Sequence, residues 1–101
     1  MGTGIMKQSI IKTSKSCFFC GSERDLERHH VFFGTANRKL AEKDGLWVWL
    51  CPDCHRGTWG VHGYKGHELD VTLKKAAEYA WLKQNGKTVD DFISRYGKNY
   101  L

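Results

Sequence analysis

Four cysteines stand in two closely spaced pairs in this 101-residue chain, Cys17-x-x-Cys20 and Cys51-x-x-Cys54. The two-residue spacing lets both sulfurs of a pair reach one ion at about 2.3 Å, and two pairs complete a tetrahedral zinc site. A thioredoxin-like redox motif would need only one pair in a βαβ context, and CxxC pairs make poor structural disulfides. We therefore predict a structural Zn²⁺ held by four thiolates, and an apo protein that is largely unfolded.

Three histidines stand close to these cysteines in the sequence. His29 and His30 follow the first pair, and His55 comes directly after Cys54. A zinc ion that ties the two pairs together would bring these imidazoles near one another. Because neighbouring side chains of a strand point to opposite faces, one of His29 and His30 can bind a metal while the other meets a substrate.

His62 is a further candidate for the same site. It stands seven residues after His55, which is about 10.5 Å along a continuous helix and too far for one metal ion. Glycines at positions 57 and 60 favour a chain that leaves the helix and folds back. We therefore consider His62 as a third metal ligand or a phosphate contact, with a structural role in the loop as the alternative.

The positive charge is concentrated at the N-terminus. The chain has a formal net charge of +5, and residues 1–16 contain three lysines and no carboxylate. A cationic arm is attracted to polyanions such as nucleic acid, with an affinity that falls as salt rises. Lys12 and Lys15 are therefore candidate nucleic-acid contacts, and an ordinary solvated terminus is the alternative.

The remaining residues predict the elements of a small α+β domain. Segment 34–45 is polar and is expected to be a loop or a single helical turn. Pro52 suits the first position of a helix, where a missing N–H costs nothing. Thr88 and Asp91 resemble an N-terminal cap. The predicted elements are strands over Leu26–Phe33 and Leu46–Leu50, a short helix from Pro52, and helices over Leu69–Gln84 and Val89–Tyr96.

Taken together, these motifs resemble the HNH (ββα-metal) nuclease family in its zinc-stapled phage form, and are similar to the recombination-enhancement, RecA-dependent nucleases. The resemblance is carried by Cys17–Cys20, by Glu27-Arg-His-His30 and by the segment from Leu50 to His62. It implies a zinc-stapled ββα-metal core over 17–66, between a basic arm over 1–16 and a helical packing segment over 67–101. The implied fold is thus a small ββα-metal finger with a Cys₄ zinc knuckle, followed by one long and one short C-terminal helix.

The resemblance also implies roles for individual residues. His30 would be the general base, and Asn37 is the nearest candidate for the orienting asparagine of the family, although it precedes the usual position. Arg56 would contact phosphate beside the metal. The ligands of one catalytic ion (Mg²⁺, Mn²⁺, Ni²⁺ or Zn²⁺) would be His29, His55 and His62, and Arg38 and Lys39 would contact nucleic acid.

The implied activity is that of a metal-dependent endonuclease that nicks DNA with low sequence specificity. Its partners would be DNA and a recombinase filament or another phage DNA-processing protein, in the cytoplasm of the host cell and with no membrane association. The main alternative is a non-catalytic zinc-ribbon module that binds nucleic acid or a partner protein. A zinc deaminase is disfavoured because the chain has no His-x-Glu motif.

Overall fold

The structure, a computed structural model, describes residues 7–101 and has a small α+β fold with a two-stranded antiparallel sheet. The first six residues of the predicted arm lie outside this range. The elements are β1 (Glu27–His30), α1 (Thr35–Asp44), β2 (Trp47–Leu50), α2 (Pro52–Arg56), α3 (His67–Asn85) and α4 (Val89–Tyr96).

The strand β1 supplies side chains to two different parts of the molecule. It pairs with β2 so that His30 lies opposite Trp47 and His29 lies opposite Val48. Because side chains alternate along a strand, Glu27 and His29 face α2, where both meet His55. The even-numbered His30 faces α1. The two adjacent histidines therefore contact different helices, as the alternation predicts.

Residues 35–44 form the helix α1, so the prediction of a loop or one helical turn was wrong. Gly34 and Gly45 flank this helix with φ angles of 91° and 74°, and the N–H of Gly45 donates to the last turn. Ala41 is buried against the core, and its carbonyl accepts from Leu46 N at 2.9 Å. The helix has little apolar surface of its own, and its last turn is bonded to the residue that precedes β2.

The other elements follow the sequence closely. The helices predicted after Pro52, over 69–84 and over 89–96 are confirmed as α2, α3 and α4. Thr88 and Asp91 form the predicted capping box, with each side chain accepting from the backbone of the other residue. The strand predicted over Leu26–Phe33 is shorter, because the chain bends after His30 and buries Val31 and Phe32 in the core.

The core joins the sheet to the C-terminal helices. Phe32 packs against the rings of Phe92 and Tyr96, with centroids 5.5 and 4.8 Å away. Trp81 of α3 packs on Phe92 from the other side. Fully buried aliphatic residues complete this core: Val31, Leu46, Leu50 and Leu73.

The described part of the basic arm lies against this core. Ser9 is buried, and Ile10 N donates to Gly45 O at 3.0 Å. The indole N–H of Trp47 donates to the carbonyl of Lys7 at 2.8 Å. Within residues 7–101, every helix is too short or too polar to cross a lipid bilayer.

Candidate metal centres

The four cysteines come together where the chain enters β1 and leaves β2. Their Sγ atoms all lie within 4.8 Å of one another, and all four are free thiols. The sulfurs of a tetrahedral site with Zn–S bonds of about 2.3 Å are about 3.8 Å apart, and the Cys20 and Cys51 sulfurs are separated by 3.6 Å. The predicted grouping of the cysteines is confirmed, and its spacing is consistent with a structural metal.

The electrostatics of this cluster favour a bound cation. Burial opposes ionisation of Cys17, but hydrogen bonds from the backbone of Cys20, Cys51 and Phe19 outweigh it and lower the pKa to about 6. Burial and the neighbouring sulfurs instead raise the pKa of Cys54. Thiolates at this separation repel one another, so all four can be charged together only around a positive ion.

The imidazoles of His29, His55 and His62 form a second cluster. One nitrogen of each ring lies within 4.8 Å of the others, and the ring centroids are 4.9 to 5.1 Å apart. The helix α2 ends at Arg56, and the chain then folds back so that His62 N donates to His55 O at 2.9 Å. This return brings His62 to a site that a continuous helix would have kept out of reach.

His29 is held in the form that binds a metal ion. It is 3% exposed, and its Nε2 atom is buried with no hydrogen-bond partner among the described residues. Burial, followed by the proximity of His62 and His55, lowers the pKa of His29 to about 3. Burial also lowers the pKa of His62. The neutral forms of His29 and His62 are therefore favoured, with lone pairs available, and the buried Nε2 atom of His29 without a partner fits a cation at the centre of the cluster.

Glu27 orients the second imidazole of this cluster. Its Oε1 atom lies 2.7 Å from Nδ1 of His55, and Arg56 binds both carboxylate oxygens. Arg56 and then His55 lower the pKa of Glu27 to about 2. The carboxylate therefore accepts the Nδ1 proton and leaves the lone pair of His55 on Nε2, which is how carboxylates hold metal-binding histidines. A usable signal was present in the sequence, since Glu27 precedes His29 by two residues on the same strand face.

His30 has a carboxylate partner of its own. Its Nε2 atom lies 2.7 Å from Oε1 of Glu42, and its side chain is 12% exposed. Glu42 also accepts from Arg28, which is the main reason that the pKa of this carboxyl is lowered. Sequence reasoning missed Glu42 because it lies on α1, where a loop was expected.

Two adjoining cavities surround His30. One, of about 210 Å³, opens onto the three clustered imidazoles, Phe33 and His30. The other, of about 440 Å³, contains Lys39, Glu42 and Lys43, and we call it the basic cleft. The residues that line both are Arg28, His30 and Arg38.

Four further candidate residues do not line either cavity. Asn37 is half-buried on α1 and does not line either of these cavities in the described part of the chain. Arg56 is bound to Glu27. Lys12 donates to the carbonyl of Cys17, and Lys15 lies over the ring of Trp49. The structure places Arg56 beside the imidazole cluster through Glu27, whereas Asn37, Lys12 and Lys15 do not contact the cluster, and the catalytic or nucleic-acid-binding roles of all four stay predictions.

Because comparisons with known proteins identify no family, the function has to be inferred from the geometry of the site. No protein-family model, curated protein or solved structure matches the chain.

Proposed function

We propose that the chain is a metal-dependent HNH endonuclease of the ββα-metal type, which hydrolyses phosphodiester bonds in DNA. The observation that carries this proposal is that His30 lines the same cavity as the cluster of His29, His55 and His62. The order of two strands followed by α2, with two of the three clustered imidazoles on β1 and α2, supports the resemblance to that family.

The two clusters suit different tasks. Four thiolates satisfy all positions of a tetrahedral ion, which is the pattern of structural zinc, whereas three imidazoles leave a coordination position open, which is the pattern of catalytic sites. When bound at the three imidazoles, a divalent ion such as Mg²⁺, Mn²⁺, Ni²⁺ or Zn²⁺ supplies a Lewis acid that stabilises negative charge on phosphate. A metal ion at the Cys₄ cluster would fix the position of β1 relative to α2.

His30 is the proposed general base. Glu42 accepts the Nε2 proton, so the lone pair of the neutral ring is on Nδ1. An attacking water forms the new P–O bond and gives one proton to Nδ1 as the bond from phosphorus to the 3′-oxygen breaks, and the 3′-oxygen leaves with a proton taken from solvent water. Glu42 stabilises the imidazolium that forms.

The basic cleft is the proposed path of the DNA backbone. Arg38 lines both cavities, and Lys39 and Lys43 line the cleft beyond it. Guanidinium and ammonium groups bind phosphate oxygens regardless of base sequence, so the proposal includes low sequence specificity. One site cuts one phosphodiester, and we therefore expect nicking by a single chain.

A plasmid-nicking assay tests this function. Wild-type protein is expected to convert supercoiled DNA to the open circle with at least one of Mg²⁺, Mn²⁺, Ni²⁺ or Zn²⁺. His30→Ala is expected to lower the rate by about 10²- to 10⁴-fold, which is the usual contribution of a general base. Zinc content and the circular dichroism spectrum should not change. The matched control is His67→Ala, because His67 is exposed at the start of α3 and outside the imidazole cluster.

Two outcomes contradict the proposal. If His30→Ala protein nicks DNA as fast as the wild type, His30 is not the base. If the wild type binds DNA but cuts none with any of the four ions, the chain is the non-catalytic zinc-ribbon module of the alternative interpretation.

A further inference from the structure

The segment between α2 and α3 consists of three consecutive tight turns. A glycine stands at every third position from 57 to 66. The N–H groups of Gly60, Gly63 and Gly66 donate to the carbonyl of the preceding glycine at 2.8 to 3.0 Å. We call residues 57–66 the glycine-turn loop.

The glycines fix the shape of this loop. A Cβ atom on Gly63 would collide with the carbonyl oxygen of Gly57, and one on Gly66 would collide with that of Gly60. A Cβ atom on Gly60 would come within 2.5 Å of the carbonyl oxygen of Asp53 on α2. The loop backbone is thus packed tightly on itself and on α2, so the side chains between the glycines are displayed from a rigid support.

Those side chains form an exposed aromatic and cationic surface beside the imidazole cluster. Trp59 and Tyr64 are 65% and 87% exposed. The Nζ atom of Lys65 lies 5.0 Å from the centroid of the Trp59 ring and 5.7 Å from that of Tyr64. Trp59, His62 and Lys65 occupy the same position in successive turns, and His62 belongs to the imidazole cluster. No carboxylate stands in residues 57–66.

A flat ring next to an ammonium group matches the repeating chemistry of a nucleic-acid strand. Aromatic rings stack on bases without regard to sequence, and lysine binds the adjoining phosphate. The bases of a duplex are already stacked and paired, so their faces are closed to such a ring. A protein partner recognised through charge would need an acidic surface facing Lys65, and it would leave the planar stacking surface without a specific role.

We infer that the glycine-turn loop binds unpaired nucleobases through Trp59 and Tyr64, and that the preferred substrate is single-stranded DNA. This inference rests on the proposed function for its link to cleavage, and binding itself is independent of it. Because Trp59 and Lys65 lie three residues to either side of His62, a stacked base would hold the neighbouring phosphate close to the imidazole cluster.

Fluorescence anisotropy in the His30→Ala background measures binding without cleavage. The probes are a labelled 15-nucleotide oligo-dT and a labelled hairpin duplex, both at one salt concentration. Trp59→Ala with Tyr64→Ala is expected to weaken oligo-dT binding by at least the amount for loss of a single stacked base, which is about 5- to 150-fold. The affinity for the duplex should change less than twofold. The single variant Trp59→Phe, which keeps an aromatic ring, should bind oligo-dT nearly as tightly as the parent does.

Tyr79→Ala is the matched control, because Tyr79 is 57% exposed on α3 with Lys83 Nζ 5.5 Å from its ring. It should bind both probes like the parent. The inference is overturned if the double variant binds oligo-dT as tightly as the parent does, as expected for a protein-docking surface. It is also overturned if affinity for both probes falls equally. Loss of oligo-dT binding in a protein whose wild type cuts no DNA would support the loop inference and reject the proposed nuclease.

Discussion

The Nε2 atom of His30 and the Oε1 atom of Glu42 are 2.7 Å apart, although twelve residues separate them in the chain. The strand β1 presents the imidazole and the helix α1 presents the carboxylate. Arg28, two residues before His30 on the same strand face, holds the same carboxylate from the side. This arrangement fixes the ring of the proposed base before any substrate arrives.

Replacement of this carboxylate should affect catalysis more than folding. In Glu42→Gln the amide has no negative charge to stabilise the imidazolium, so the nicking rate is expected to fall by at least about tenfold. Thermal stability and zinc content should stay close to those of the wild type. Glu68→Gln, at an exposed position on α3, is the control. A wild-type rate for Glu42→Gln would show that His30 does not depend on this partner.

Glu27 should control metal affinity at the imidazole cluster. Its hydrogen bond to Nδ1 of His55 makes that ring a better ligand, and loss of such a partner lowers metal affinity by about 10- to 100-fold. We expect this decrease for Glu27→Gln in Co²⁺ titrations, followed by visible absorption, of protein that holds one zinc ion per chain at the Cys₄ cluster. Glu23→Gln, at an exposed position, should bind Co²⁺ like the wild type. Equal affinities for the two variants would argue against a metal at His55.

The metal ions of the two clusters should differ in how much they stabilise the fold. Elemental analysis of wild-type protein supplied with zinc is expected to find two ions per chain. His55→Ala should lose one ion and keep its circular dichroism spectrum. Cys20→Ser should lose both ions together with most of its helical signal, because structural zinc contributes about 10–16 kcal/mol in small domains and the imidazole cluster forms only in the folded chain. A folded Cys20→Ser protein without zinc would refute the structural role.

Asp44 at the end of α1 ties three elements together. Its carboxylate accepts from the indole N–H of Trp81, from Arg95 at 2.6 and 2.9 Å, and from the Tyr96 hydroxyl at 2.6 Å. Asp44→Asn loses the charge that these donors share, and we expect a loss of about 2–4 kcal/mol in the free energy of unfolding. Urea denaturation at neutral pH measures it. Asp90→Asn, at an exposed position on α4, should change the free energy of unfolding little. If the two variants lose the same amount of stability, Asp44 does not hold these elements together.

Some features of this protein follow from short-range patterns in the sequence. The CxxC spacing determines that each pair can share one ion, whatever lies between the pairs. The helix α4 begins at the Thr88 capping box and ends at Gly97, which has a left-handed φ of 90°. In each case residues a few positions apart interact, so the local sequence contains both partners.

Other features were decided only by the tertiary structure. The helix α1 was missed because it has one buried residue, Ala41, and no apolar stripe. With α1 unrecognised, Glu42 had no position from which to meet His30. His62 was a candidate from the glycine pattern, but its approach to His29 depends on three turns packed against α2. The contact of His30 with Glu42 joins residues 12 positions apart, and that of Asp44 with Tyr96 joins residues 52 positions apart. Contacts at such separation form only when the shared core folds, because no local pattern encodes both partners.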